Sequence, residues 1–213
     1  MRLAYAHPGM IYRLFYWNKR GRGEQIRLLL SELDLRWEDV FVGGEKFRQL
    51  QAEGPRALYF GSVPMLEHDG FRLCQGPVIL SYLARTHGIA PSDLQAAARA
   101  DAIALGAEDL RIEYFQLFGD GAATKQAEFV SGRWAERWLP CFEGLLELGG
   151  GRFFGGESPD HADIALWDVF DSITTWIAGA SLDRSPRLAE HFAAIKARPR
   201  IAAYLASDRR PTG

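Results

Sequence analysis

The chain has 213 residues, 47% of them apolar and 24% charged, with a formal net charge of −2. That mixture describes a folded chain rather than a disordered one, long enough for one large domain or two small ones. The near-neutral charge, without a long basic run, leaves no footprint for a nucleic acid, and no apolar stretch approaches the ~20 residues that span a bilayer.

Taken in order, Met1 to Gly9 carries one Arg and no apolar centre, unlike a secretory leader. Ile11 to Tyr16 is short, aromatic and apolar, and reads as a strand. Arg22 to Leu33 places Ile26, Leu29, Leu30 and Leu33 at the spacing of one helix face. Trp37 to Phe41 is a second strand, parallel to the first if that helix is a crossover. Polar residues with Gly54 and Pro55 fill the stretch from Gly43 to Gly61, expected to hold one short helix and a loop. Val63 to Leu66 and Phe71 to Cys74 flank Asp69-Gly70, a strong hairpin signal. Pro77 to Thr86 reads as a helix with proline in its first turn.

After Gly88-Ile89-Ala90-Pro91 the strand signals end. Helices are expected over 92–119, 125–147, 160–178 and 185–206, the last broken near Pro199, with Ser92 or Asp93 as the first N-cap. Asp160 and Asp163 form a variant capping box. The helix they open is apolar nearly all round, through Ile164, Leu166, Trp167, Val169, Phe170 and Ile173, and is expected at the centre of its domain. The fold class is therefore α/β followed by all-α. Residues 10–87 form a βαβαββα domain of the thioredoxin-like kind, and 92–208 a helical bundle.

Cys74 and Cys141 stand far apart in no C-x-x-C pair, which excludes a disulfide scaffold and a zinc ribbon. Both are expected to be reduced and buried, and a reducing cytosol is the expected compartment. The histidines at 7, 68, 87, 161 and 191 show no metal-ligand spacing, and His161 reads as a first-turn surface residue. No metal is expected.

The chemistry concentrates in the first third. Tyr16 ends a strand, a phenol beside the guanidinium of Arg22, within Asn18-Lys19-Arg20-Gly21-Arg22-Gly23-Glu24. A hydroxyl donated to a sulfur, with a cation nearby, favours the thiolate; alone, a strand tyrosine is far more often an ordinary structural aromatic. Gln75-Gly76 opens a helix, where free amides bind anions, or simply starts it.

Taken together, Tyr12 to Glu24, Phe60-Gly61-Ser62-Val63-Pro64-Met65-Leu66, Asp69-Gly70 and Gln75-Gly76 resemble the glutathione-binding half of a cytosolic glutathione transferase. The likeness runs over nearly the whole chain and is strongest at 12–31, 60–83 and 154–168. It looks most like the tyrosine-type branch (alpha, mu, pi and sigma-like). The resemblance implies glutathione as co-substrate, a homodimer, attack of the thiolate on electrophiles in detoxification, and a cytoplasmic location. It implies Tyr16 and Arg22 as catalytic residues, with Tyr16, Trp17, Phe47, Ser62, Val63, Pro64, Gln75 and Gly76 binding glutathione, the Val63-Pro64 bond being cis. Asp109 is expected to reach a partner's glutathione across the two-fold axis. Trp17, Phe115, Phe118, Gly119 and Tyr204 are expected at the electrophile's pocket, and Phe60 at the dimer interface. Two features depart from the family: Gly76 stands where a serine usually follows the Gln, and the stretch 43–62 is longer than usual, which bears on the contacts to the glycyl end. An isomerase or peroxidase using the same site, and a binding or structural protein with a weakened site, remain as alternatives.

Overall fold

The computed structural model describes residues 11–213, so the expectation about Met1 to Gly9, His7 and residue 10 lie outside it. The described residues divide into two compact units, 11–88 with 198–213, and 89–197.

The first unit is built on a four-stranded mixed sheet in the order β2-β1-β3-β4. Strand β1 (Tyr12–Tyr16) runs parallel to β2 (Trp37–Phe41) and antiparallel to β3 (Met65–His68), which pairs in turn with β4 (Phe71–Cys74). The crossover from β1 to β2 is helix α1 (Gly21–Glu32). Asp69 and Gly70 both take positive φ, 46° and 78°, as a two-residue hairpin turn requires. Helix α2 (Gly44–Ala52) and a turn of 3-10 helix (Gly54–Arg56) fill the polar connection, and α3 (Gly76–Thr86) follows β4 with Pro77 in its first turn. The βαβαββα order is thus present.

Helix α9 (Pro199–Leu205) packs on α1, within the first unit. Composition grouped this segment with the helical half through residue 208; the structure divides the chain at 197/198 instead. Arg198 Nε donates to Glu32 Oε1 (2.7 Å), and Arg200 pairs with Asp34 (3.0 Å). The Arg209 guanidinium lies 3.8 Å over the Trp37 ring, where attraction to the π face adds to packing.

The second unit is helical. Its members are α4 (Leu94–Phe115), α5 (Ala122–Phe129), a π-helical run (Val130–Trp138), α6 (Leu139–Gly149), α7 (His161–Trp176) and α8 (Pro186–Lys196). Asp93 caps α4, accepting from the Ala96 amide at 2.8 Å. The single helix expected over 125–147 resolves into α5, the π run and α6, with Pro140 in the first turn of α6. Helix α7 is central: Ile164, Leu166, Trp167, Val169, Phe170 and Ile173 are all buried. Its capping box is complete, Ala162 N–H donating to Asp160 (2.7 Å) and Asp160 N–H to Asp163 (2.9 Å).

Two expectations are corrected here. His161 is buried, not on the surface, with its Nε2 3.0 Å from Asp101, because the first turn of α7 lies inside its unit. Cys74 is buried as expected, but Cys141 is exposed on the outer face of α6.

Candidate active site

Tyr16 is the last residue of β1, paired with Phe41. The next residues turn the chain into α1, and the Arg22 amide at the helix start donates to the Tyr16 hydroxyl oxygen at 2.9 Å. An N–H at a helix start has no carbonyl one turn back, so it is free to bind a side-chain oxygen. Helix and phenol can approach this closely only because Gly21 and Gly23 lack side chains. A Cβ on Gly21 would lie 2.7 Å from the Tyr16 oxygen, and one on Gly23 would lie 2.5 Å from ring atom Cδ1. Gly21 also takes a φ of 40°, a value that glycine adopts without cost. The Arg22 main-chain N–H thus touches the phenol, and its side chain is half-buried.

Several other expected residues pack near the end of β1 and the start of β3. Trp17 and Phe47 pack ring to ring with centroids 4.9 Å apart. Both, with Val63, lie against a buried cluster of Phe15, Val42, Leu50, Ala57, Leu58, Met65 and Cys74. The Val63–Pro64 bond is cis, as the resemblance implied. Ser62 is exposed next to it, and Pro64 is buried.

Gln75 is exposed at the start of α3, held at φ 75° and ψ 111°, a sparsely populated setting for a residue with a side chain. It presents its side chain at the helix end where free amides and the macrodipole favour an anion. Gly76 is buried. A Cβ there would lie 2.8 Å from Gln25 Nε2, so a side chain at 76 requires the Gln25 amide, which donates to the Arg22 carbonyl at 3.4 Å, to shift. Gln25 was not among the residues expected at the site. Its signal, a polar residue directly after Glu24 on a helix otherwise turned inward, is intelligible only once α3 is seen against α1.

Glu24 was missed as well. It is fully buried on α1, with Arg27 at 3.4 Å, the Tyr204 hydroxyl at 3.0 Å and Arg210 Nε at 2.9 Å. Burial first, and then the Glu24 carboxylate, push the Tyr204 phenol far above its ordinary value, so it remains a neutral donor. Tyr204, expected at an electrophile pocket, therefore has its hydroxyl committed to the interior of the first unit. Of the other candidates for that pocket, Trp17 is in the first unit, and three lie at or just after the end of α4 in the second unit. Phe115 and Phe118 are partly exposed there, both near Tyr114, and Gly119 turns the chain at φ 84°. Asp109 is exposed on α4. Phe60 is 73% exposed ahead of β3.

Among the described residues no cluster of three or more metal-ligating side chains occurs, and no helix is long and apolar enough to cross a membrane.

Comparison with known proteins accords with this geometry. Residues 13–85 match the family model for the glutathione S-transferase N-terminal domain, and residues 108–208 the one for the C-terminal domain. Glutathione S-transferase P of Capra hircus is 31% identical over 198 residues, covering 92% of each chain. Glutathione S-transferase A4 of Mus musculus is 34% identical over 160 residues, 74% of this chain and 71% of that one. Among solved structures, the Pi-class glutathione S-transferase of Onchocerca volvulus superimposes with a TM-score of 0.79 at 26% identity, over 91% of both chains. The glutathione S-transferase of Ascaris lumbricoides gives 0.80 at 26% identity, over 95% of this chain and 98% of that one. The chain belongs to the glutathione S-transferase family and is a glutathione transferase.

Proposed function

We propose that the chain activates glutathione with Tyr16 and conjugates the thiolate to soft electrophiles. The observation that carries this reading is the Tyr16 hydroxyl at the start of α1, its oxygen already accepting from the Arg22 amide. That bond occupies one lone pair and polarises the O–H, strengthening it as a donor to a sulfur anion. A free thiol ionises near pH 8.5, and two units of lowering correspond to about 2.7 kcal/mol. One hydrogen bond to a charged group, about 1.5–3 kcal/mol, supplies most of that. The half-buried Arg22 guanidinium adds positive potential on the same side.

In this reading the tripeptide lies along the first domain. Trp17 and Phe47 flank its glycyl end, Ser62, Val63 and Pro64 meet its cysteinyl backbone, and Gln75 with the Gly76 amide binds the γ-glutamyl carboxylate. The helical domain carries the electrophile site, through Phe115, Phe118 and Gly119. In a homodimer, Phe60 enters the partner's helical domain and Asp109 reaches the partner's glutathione. The cytosol, rich in reduced glutathione, is the matching compartment.

The test is Tyr16→Phe, assayed with a chloronitrobenzene and titrated with glutathione by calorimetry. Turnover at neutral pH is expected to fall by about 2 kcal/mol in barrier, some thirtyfold, with glutathione affinity nearly kept. Equal turnover in the two proteins would remove Tyr16 from the mechanism. Hydroperoxide and isomerase substrates, assayed alongside, define which electrophile class the site prefers.

A further inference from the structure

Glu24 sits where three stretches of chain meet. It lies in the first turn of α1, directly after Gly23, whose α-carbon faces the Tyr16 ring. Its Oε1 receives Arg210 Nε at 2.9 Å, and its Oε2 receives the Tyr204 hydroxyl at 3.0 Å and Arg27 Nη1 at 3.4 Å. Arg27 in turn donates to the Lys19 carbonyl (2.9 Å), to the Trp17 carbonyl (3.4 Å) and to Asp39 on β2 (2.9 Å). The charged and titratable groups around Glu24 include Arg27 on its own helix, Asp39 beyond Arg27 with Arg209 acting on it, Tyr204 on α9 and Arg210 in the segment after it. Arg27 and Glu24 are both fully buried.

The network therefore grips both sides of the bond between the Arg22 amide and the Tyr16 oxygen. Arg27 ties down the carbonyls of the turn that leaves Tyr16, and Glu24 ties the turn of α1 that supplies the amide to α9 and the tail. A buried charge that loses one partner is strongly destabilised, so the arrangement holds only with all of them in place.

We propose that Glu24, engaged by Tyr204 and Arg210, is a positioning residue that holds the Arg22 amide on the Tyr16 oxygen, so that docking of the C-terminal segment sets how well Tyr16 ionises the thiol. This rests on the reading of Tyr16 given above and adds to it a control lying some 180 residues away along the chain, the separation of Glu24 and Tyr204.

Tyr204→Phe removes a single hydroxyl from this network, and Glu24→Gln removes its charge while keeping its shape. Each is compared with the unaltered protein and with Tyr16→Phe in three measurements: thermal melting, hydrogen exchange at the Arg22 amide, and the pH profile of kcat/KM for conjugation. In Tyr204→Phe the Arg22 amide is expected to exchange several-fold faster. The apparent pKa is expected to rise by about one unit, a tenfold loss of rate in mildly acidic buffer that closes in alkaline buffer. Glutathione affinity changes by less than the rate does. An unchanged pH profile, or unchanged exchange at Arg22, in folded Tyr204→Phe overturns the proposal; should Glu24→Gln fail to fold, Tyr204→Phe decides alone. If Tyr16→Phe is as active as the unaltered protein, the Tyr16 reading falls and takes this proposal with it. If Tyr16→Phe is impaired but Tyr204→Phe keeps the original profile, only the positioning role is lost.

Discussion

Gly23 and Tyr16 are packed face to face, with the α-carbon of the glycine so close to the ring that a single added methyl group would lie 2.5 Å from Cδ1. The atom it would strike belongs to a rigid ring in the interior, so relief requires α1 or the end of β1 to shift. Gly23→Ala is expected to cost about 1–3 kcal/mol of stability, as over-packed cores do. It is also expected to reduce conjugation more than the stability loss explains, since the Arg22 amide moves with the helix. Urea unfolding beside kinetics below the transition checks this; an alanine variant with both quantities unchanged contradicts the packing described.

Gly76 and Gln25 share one space. Gly76→Ser by itself is expected to gain little glutathione affinity, because its side chain must first expel the buried Gln25 amide, 2.8 Å from the new Cβ. With Gln25→Ala also present, the serine hydroxyl is free to bind the γ-glutamyl carboxylate. The double variant is then expected to bind about tenfold more tightly than Gln25→Ala, the lower end of a hydrogen bond to a charged group. Calorimetry on the four proteins reads the coupling directly. Strict additivity of the two changes sinks the idea.

Asp160 introduces a pH dependence. Burial, then the neighbouring carboxylate of Asp163, push its pKa from 3.8 up to about 7, against the pull of the amides of Ala162 and Asp163. A carboxyl with a raised folded-state pKa binds its proton more tightly in the native state. Stability contributed by this group is therefore present at low pH and is lost as pH rises from about 4 to about 7. Asparagine caps a helix about as well as aspartate and does not titrate. Asp160→Asn is expected to flatten this slope and to raise the melting temperature at neutral pH relative to the unaltered protein. Denaturation across that pH range measures it, and parallel curves for the two proteins count against it.

The two cysteines differ in reactivity for a physical reason. Burial raises the Cys74 thiol above its usual value, and its Sγ faces the Ala57 carbonyl at 3.8 Å. Cys141 is exposed. Because the thiolate is the reactive form, iodoacetamide at neutral pH is expected to modify Cys141 in the folded protein and Cys74 only after unfolding. Peptide mapping by mass spectrometry tells the two apart; early labelling of Cys74 would show that its strand opens in the native state.

How much of this was legible beforehand differs from one element to another. The Asp69-Gly70 turn could be read because two adjacent residues carry its whole conformational requirement. The capping box at Asp160 and Asp163 could be read because its donors and acceptors lie within one helical turn. The start of α1 was legible from the residues around Tyr16, although the bond from the Arg22 main-chain amide to the phenol was not among the expectations. By contrast, apolar spacing described α1 as a helix with one inward face, whereas Gly23, Glu24, Gln25 and Arg27 are buried too. Nothing within α1 announces that second cover, because it is supplied by the Tyr16 ring, the start of α3, and α9 with the tail.

Local chemistry was thus determined by the sequence itself: strand, turn, helix start, and the phenol set among glycines and arginines. These depend on backbone preferences and on partners a few residues away. The tertiary structure alone decided that Glu24 is an interior charge, that Tyr204 serves it, that Gln25 fills the space beside Gly76, and that residues 198–213 return to the first unit. Those outcomes turn on which distant segments exclude water from a given side chain, and burial of that kind is a property of the assembled chain that no short window of residues contains.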